Sequence, residues 1–267
     1  MMTQLDKIKK LNEILLQEMP EYRIQAMQIN ADDYKQQRLF LRSLMNLREP
    51  MPISEEFLNL QDDFLTQEAQ EKGIVHVQEL TPVTENICIW QGDITRLDAD
   101  AIVNAGNTTM LGCFLPCHKC IDNTIHSSAG LQLRDICYQM MLKQGHEEAI
   151  GSAKITKAYN LPSKYVIHTV GPVIYDNQVT KYDKLMLTSC YTSCLQVASE
   201  KNLKSIAFCC ISTGELCFPK RLACEIAVHT VKTYLHQNPE TSLKKIIFNV
   251  FKDEDCEIYK EVLQQGS

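Results

Sequence analysis

Four side chains that commonly bind zinc fall close together in one segment: Cys113, Cys117, His118 and Cys120. The neighbours Cys117 and His118 rarely reach one tetrahedral ion together, because adjacent side chains diverge. The spacing Cys113-x4-His118-x-Cys120 instead allows a looping backbone to supply three ligands and to leave a fourth position open. An open position is typical of a zinc ion that binds water or substrate. We therefore predict a zinc site formed by Cys113, His118 and Cys120, with Cys117 as the spare.

Three other interpretations of this segment stay open. It could be a cysteine-rich turn that binds no metal, or a Cys–His nucleophilic pair that lacks an orienting third group. It could also be a structural zinc site completed by a distant ligand such as Cys217, although no second CxxC or HxxxH pair is present. A structural zinc predicts that a chelator unfolds the domain, whereas a catalytic zinc predicts that activity is lost before stability.

Two other polar segments directly follow apolar strands, at 91–95 and 211–219. Asp93 can accept a hydrogen bond from an exocyclic amine such as that of adenine, or it can cap a turn. Ser212, Thr213 and Gly214 precede a helix with successive backbone amides, which favours anions. The second segment is neither a GxGxxG motif nor a P-loop, so it predicts neither a Rossmann domain nor a nucleoside triphosphatase. Open α/β sheets bind ligands at strand ends, so these segments and the cysteines predict one site.

The chain shows two patterns of predicted secondary structure. Residues 1–72 predict helices without strands, and Ser54 is a candidate N-cap. From residue 73, short apolar strands alternate with helices, which is typical of a mostly parallel sheet covered on both faces. We predict strands at 74–77, 87–91, 101–103, 165–170, 205–211 and 245–251, and helices at 122–143, 184–200, 221–236 and 254–264. We therefore predict a three-layer α/β/α domain over 73–267, carrying a helical N-terminal extension over 1–72.

The composition narrows the classes of function. The chain has 267 residues, 45% of them hydrophobic, and a net charge of −6. Lysines and arginines are dispersed, so a nucleic-acid partner is not expected. The N-terminus lacks the apolar core of a signal peptide and no apolar run reaches membrane-spanning length. Many of the 12 cysteines lie in apolar stretches, where a reduced thiol behaves as a small hydrophobe. We expect a cytoplasmic protein with reduced thiols and no membrane association.

These motifs closely resemble those of a macrodomain. The similarity covers, in order, QGDIT at 91–95, DAIVNA at 100–105, GSAKIT at 151–156, YVIHTVGP at 165–172 and ISTG at 211–214. It extends over about residues 73–264. Hydrolytic macrodomains carry a glycine-rich segment where this chain has 113–123. That substitution, together with the helical extension, resembles the zinc-dependent, microbial, sirtuin-linked type of protein ADP-ribose hydrolase. The fold implied is a macrodomain with a mixed, mostly parallel central sheet.

The resemblance implies a role for each matching position. Cys113, His118 and Cys120 would hold Zn2+, and Asn107, Asp122 and the zinc-bound His118 would be catalytic. The residues implied to bind ADP-ribose are Asp93, Ile94, Asn107, Cys120, Ile121, Asp122, Asn123, Ser212, Thr213, Gly214, Glu215, Phe218 and Phe251. From position alone, the default interpretation of Phe251 is a core aromatic, with stacking on a base as the alternative. The chain departs from the family at Gly106, where alanine is expected, and at Cys217, where glycine is common.

The function implied is removal of mono-ADP-ribose from modified protein side chains, with an ester link to Asp or Glu expected. The zinc would grip the distal ribose or polarise an attacking water. A lipoate-bearing carrier related to the glycine cleavage H protein is an implied partner. The alternative is a non-catalytic module that binds ADP-ribosylated partners and carries a structural zinc. The open metal position favours the enzyme, because a reader has no need of one.

Overall fold

The computed structural model describes residues 2–176 and 178–265. Residues 1, 177, 266 and 267 of the two predicted segments therefore lie outside the described residues. The extension contains helices α1 (Gln4–Glu18), α2 (Arg23–Met27), α3 (Tyr34–Leu47) and α4 (Glu55–Lys72). Ser54 caps α4 as predicted, because its side chain accepts a hydrogen bond from the Phe57 amide at 3.2 Å.

The extension has an apolar core of its own, formed by the buried stripes of α1, α3 and α4. Leu11, Leu44 and Phe64 are among its fully buried side chains, and Leu131 from the second segment completes it. Each of these helices buries one apolar face in the shared core. Tertiary packing, rather than helix propensity, therefore stabilises the helices.

The second segment forms a six-stranded sheet within the described residues. Its strands are β1 (Ile87–Gln91), β2 (Ala101–Gly106), β3 (Ala153–Lys157), β4 (Tyr165–Val170), β5 (Ser205–Phe208) and β6 (Lys245–Val250). Their order is β1-β6-β5-β2-β4-β3, and every pair is parallel except β3–β4. The central strands are almost entirely buried, as expected for strands covered on both faces.

Helices cover both faces of the sheet and give the predicted three-layer α/β/α fold. They are α5 (Ile121–Ala129), α6 (Leu131–Gln144), α7 (Lys181–Glu200), α8 (Lys220–Gln237) and α9 (Asp253–Gln265). Helices α7, α8 and α9 contact one another in succession, whereas α5 and α6 contact each other, with α5 against β2 and α6 against β3. In the described part of the chain, no helix combines the length and apolarity that a membrane crossing requires.

The structure corrects three predicted elements and adds a fourth that was not predicted. Residues 74–77 are not a strand: Val75 forms only an isolated bridge with Leu97, and a short 3-10 turn follows. The helix predicted at 122–143 is two helices, separated at Gly130, which has a φ of 99°. The strand predicted over 205–211 ends earlier, at Phe208, and a turn begins at Ile211. The antiparallel edge strand β3 was not predicted, since its mixed sequence AKITK lacks an apolar run.

A carboxylate–guanidinium pair joins α3 to α4. Arg38 donates to Glu68 through two hydrogen bonds, at 2.7 and 2.9 Å. Burial by itself would raise the pKa of Glu68, but the hydrogen bonds and charge of Arg38 outweigh it and lower that pKa to about 2. Because the folded pKa lies below the usual value of 4.5, the pair stabilises the fold above pH 4.5. That stabilisation is lost as the pH falls towards 2.

We expect Glu68→Gln to lower the free energy of unfolding by about 2 kcal/mol at pH 7, since charged hydrogen bonds are lost. The difference from the wild type should narrow at pH 3, because the Glu68 carboxyl is then largely protonated in the unfolded chain, and ionising it on folding costs free energy. Urea unfolding at both pH values measures this, and an equal difference at pH 3 and pH 7 would contradict it.

Candidate metal centre and ligand-binding site

Cys113, His118 and Cys120 come together in the loop between β2 and α5. Their donor atoms all lie within 4.8 Å of one another, and all three residues are partly exposed. Cys113 Sγ lies 3.7 Å from His118 Nδ1. Two tetrahedral zinc ligands with usual bond lengths would be about 3.6 Å apart, so this spacing fits zinc. Cys117 and Cys217 are not in this group; the Cys117 thiol donates instead to the Leu39 carbonyl oxygen at 3.2 Å.

Asn123 lies beneath the loop and is fully buried. Its backbone amide donates to Cys120 Sγ at 3.3 Å, where Cys120 is the N-cap of α5. Its side-chain Nδ2 donates to the carbonyl oxygens of Leu115 at 2.9 Å and Cys113 at 3.4 Å. The side-chain amide of Asn123 is therefore already bonded to the loop, and a contact with the predicted ligand would have to compete with these hydrogen bonds.

Asp122 lies in the first turn of α5 and is only 4% exposed. Its Oδ1 accepts a hydrogen bond from Asn104 Nδ2 at 2.8 Å, and His126 Nε2 lies 3.5 Å from the same oxygen. Burial raises the pKa of the Asp122 carboxyl to about 6, against the opposite effects of Asn104 and the Arg134 charge. The carboxyl group is thus held in one orientation, two residues after a predicted metal ligand.

Two buried histidines pack behind Asp122. His168 is a core histidine that is hydrogen-bonded to Thr156 Oγ1 at 2.9 Å and to Asn104 Nδ2 at 3.2 Å. His126, Cys137 and His168 form a second group of possible metal ligands. Both ring nitrogens of His168 already have partners. The partly exposed group of Cys113, His118 and Cys120 is therefore the better candidate metal site. Burial lowers the pKa of both histidines, so both are neutral at pH 7.

The segment 211–219 forms a tight loop between β5 and α8. Ser212 is buried with a φ of 64°, and its Oγ has no hydrogen-bond partner among the described residues. Gly171 makes room for it, since a Cβ at Gly171 would lie 2.1 Å from Ser212 Oγ. Cys217 has a φ of 57°, the left-handed region that favours the glycine common at this position in the family. Helix α8 follows without a side-chain cap, which leaves its first amides available to an anion.

This loop approaches the predicted metal ligands at Glu215. Glu215 Oε1 lies 3.8 Å from His118 Nε2, on the opposite side of the ring from the nitrogen that faces Cys113. A carboxylate that accepts a hydrogen bond from this nitrogen orients a metal-binding histidine and fixes its tautomer, and Glu215 at 3.8 Å lies close to that position without being hydrogen-bonded. Glu215, predicted to contact ligand, is therefore also placed to position His118.

The other predicted residues occupy the same edge of the sheet but differ in accessibility. Asp93 accepts hydrogen bonds from the amide and hydroxyl of Thr95 through Oδ1 alone. Phe251 is 74% exposed, so it is not a core aromatic, whereas Phe218 and Ile94 are buried. Those with some exposure are Ile121, Thr213 and Gly214.

Asn107 is exposed, but its side chain is engaged within the loop. Its Oδ1 accepts from Thr109, at 3.1 Å from the amide and 2.6 Å from the hydroxyl, and its Nδ2 donates to the Gly112 carbonyl oxygen. Asn107 therefore stabilises the turn that leads into residues 113–120, the segment of the predicted metal ligands, which we call the metal loop.

Asn104 and Arg134 are the site residues that sequence reasoning missed. Asn104 orients Asp122 and His168 together. Arg134 is buried, stacks on Phe114 at 4.2 Å and donates to the Leu111 carbonyl oxygen at 2.7 Å. A polar residue late in an otherwise apolar strand was an available signal for Asn104; a lone arginine on a helix gives none.

Comparison with known proteins gives the same family by three routes. The Macro domain family model matches residues 103–227. A protein-ADP-ribose hydrolase of Treponema medium is 50% identical over 266 residues, covering 98% of this chain and 100% of that protein. A protein-ADP-ribose hydrolase of Staphylococcus aureus strain MRSA252 is 47% identical over 227 residues, which is 85% of this chain and 84% of that protein.

A solved structure also matches over most of its length. The Trypanosoma brucei macrodomain in complex with ADP-ribose has a TM-score of 0.64 and 28% sequence identity. The match covers 82% of this chain and 94% of the trypanosomal chain.

We expect the full-length protein to bind one zinc ion, and Cys113→Ser or Cys120→Ser to lower bound zinc to a small fraction, because two ligands cannot hold it tightly. Cys117→Ser is the matched control and should retain zinc, since its thiol faces Leu39. Elemental analysis after dialysis measures this. Loss of zinc in the control, or retention in both other variants, would contradict the assignment.

Proposed function

Because this chain belongs to the macrodomain family, we propose that it is a hydrolase that removes mono-ADP-ribose from modified protein side chains with the help of bound zinc. The hydrolase names of two relatives, at 50% and 47% identity, support the reaction class. The observation that carries the zinc dependence is the Cys113–His118–Cys120 triad, whose three donors lie within 4.8 Å of one another.

The ligand edge offers complementary groups to the parts of ADP-ribose. The diphosphate would lie against the 211–219 loop, where the unpartnered Ser212 Oγ and the uncapped start of α8 can donate hydrogen bonds. The adenine would lie between Asp93 and the exposed ring of Phe251. This orientation would direct the distal ribose, and the bond to the acceptor, towards Asp122 and the triad.

The reaction needs a nucleophilic water and a fixed ribose. A zinc ion held by Cys113, His118 and Cys120 would supply Lewis acidity at an open coordination position. Asp122 would orient the water or a ribose hydroxyl through hydrogen bonds, and Asn104 would keep its carboxylate in place. Glu215 would hold the His118 ring, and Asn107 the turn before it.

The proposed acceptor is an Asp or Glu side chain linked as an ester, since a carboxylate is a better leaving group than the guanidine of arginine. The candidate acceptors include a lipoate-bearing carrier related to the glycine cleavage H protein, modified by a sirtuin-type transferase. We propose that the reaction takes place in the cytoplasm, where the free cysteines of this chain would stay reduced.

We expect Asp122→Asn to lower the rate of release of ADP-ribose from an ester-linked acceptor by about 10²- to 10⁴-fold, because an amide cannot accept a proton from the water that the Asp122 carboxylate would orient. Its affinity for free ADP-ribose should change by less than about threefold, because Asn preserves the size of the side chain. The measurement combines single-turnover release with calorimetry, and an arginine-linked acceptor serves as the negative control.

The alternative is a non-catalytic reader. It predicts tight ADP-ribose binding by the wild type with no release from either acceptor. That pair of results would contradict the hydrolase, and so would a full rate of release by Asp122→Asn.

Two glycines allow a matched test of the proposed diphosphate loop. We expect Gly171→Ala to weaken ADP-ribose binding by about tenfold, because its Cβ would displace Ser212, and overpacking of this kind costs about 1–3 kcal/mol. Gly106→Ala should change binding by less than about threefold, since its Cβ would have only ordinary contacts, at 3.5 Å or more. Calorimetry measures both, and equal affinities would place the diphosphate elsewhere.

A further inference from the structure

We propose that helix α3 of the N-terminal extension is part of the metal centre, with Arg42 as the positioning residue that holds the zinc ligands in place. This proposal rests on the zinc site of the proposed function. It assigns the extension a role in metal affinity, beyond that of a helical appendage.

Arg42 reaches from α3 into the metal loop. Its Nη2 donates to the backbone carbonyl oxygen of His118 at 2.9 Å. Its Nε and Nη2 donate to Asn123 Oδ1 at 3.0 and 2.7 Å. One guanidinium group thus contacts one predicted ligand directly, together with the asparagine beneath the other two.

Asn123 transmits this constraint to both cysteines. Its backbone amide donates to Cys120 Sγ, and its side-chain Nδ2 donates to the Cys113 carbonyl oxygen. Because the Asn123 Oδ1 accepts from Arg42, the orientation of the whole carboxamide is fixed by α3. The Arg42–Asn123 pair therefore restrains the backbone or side chain of all three predicted ligands.

A second set of contacts holds α3 against the loop. Asn46, one turn after Arg42, accepts from the Cys117 amide at 2.9 Å and donates to Ser127 Oγ at 3.0 Å. Arg134 donates through Nη1 to the carbonyl oxygens of Met45, Asn46 and Arg48, at 2.7 to 2.9 Å. Arg134 also binds the Leu111 carbonyl oxygen just before the metal loop. Helix and loop are thus joined through buried hydrogen bonds rather than by apolar packing alone.

Such contacts stabilise one arrangement of the ligands before the metal binds. Groups that orient metal ligands typically change metal affinity by about 10–100-fold when they are removed. Without the guanidinium, the buried Asn123 Oδ1 loses its strongest donors, and its carboxamide is free to rotate away from Cys113. The expected effect is weaker zinc binding with the protein still folded.

The test compares Arg42→Gln with wild type in the full-length chain, using zinc alone as the probe. Competition with a chromogenic chelator should show zinc binding about 10–100-fold weaker in Arg42→Gln. Arg42→Lys keeps the charge but loses the two-pronged donor geometry, so it should rescue only in part. The absorption spectrum of the Co2+-loaded protein should shift in Arg42→Gln, because it reports the ligand geometry.

Glu68→Gln is the matched control for lost stability in the same helices. It disrupts the α3–α4 pair without touching the metal loop, so its zinc affinity and Co2+ spectrum should equal those of the wild type. Wild-type zinc affinity in Arg42→Gln, or an equal loss in Glu68→Gln, would overturn the role of Arg42 and leave the proposed function standing. Absence of zinc binding by the wild type would overturn both.

Discussion

The buried carboxamide of Asn123 is the junction on which the candidate site depends. It connects helix α3, through Arg42, to the loop backbone at Cys113 and Leu115. The backbone amide of the same residue adds the start of α5, because it donates to Cys120 Sγ. A buried amide that lost these partners would cost about 1–3 kcal/mol for each unsatisfied group. The loop therefore has one favourable conformation, and in that conformation the donors of Cys113, His118 and Cys120 face one another.

The parallel sheet supplies the second constraint. Strands β1, β2, β5 and β6 run in the same direction, so the loops after them collect at one edge. The loop with the predicted metal ligands follows β2, the 211–219 loop follows β5 and Phe251 follows β6. Glu215 and His118 bring the first two of these loops within 3.8 Å of each other. A ligand that bridges the edge would contact elements that are distant in sequence but fixed by a common hydrogen-bonded framework.

The sequence was sufficient for those features that local pattern determines. The apolar runs predicted β1, β4 and β6, and the spacing of three donors predicted the triad that the loop brings together. It was insufficient where a partner lies far along the chain. Arg42 and Asn123 are 81 positions apart, and nothing in a single helix indicates that one arginine will face a loop. The edge strand β3 was not predicted for a related reason: it is a strand because it pairs with β4, and its own composition does not indicate one.

The most direct measurement titrates Zn2+ into metal-free, full-length protein. Bound zinc, release of ADP-ribose from an ester-linked acceptor and cooperative thermal unfolding are followed in the same samples. We predict that release rises in proportion to bound zinc and saturates near one ion per chain, while the metal-free protein still unfolds cooperatively. Release at the full rate by metal-free protein would contradict this account, and so would a metal-free chain that does not fold.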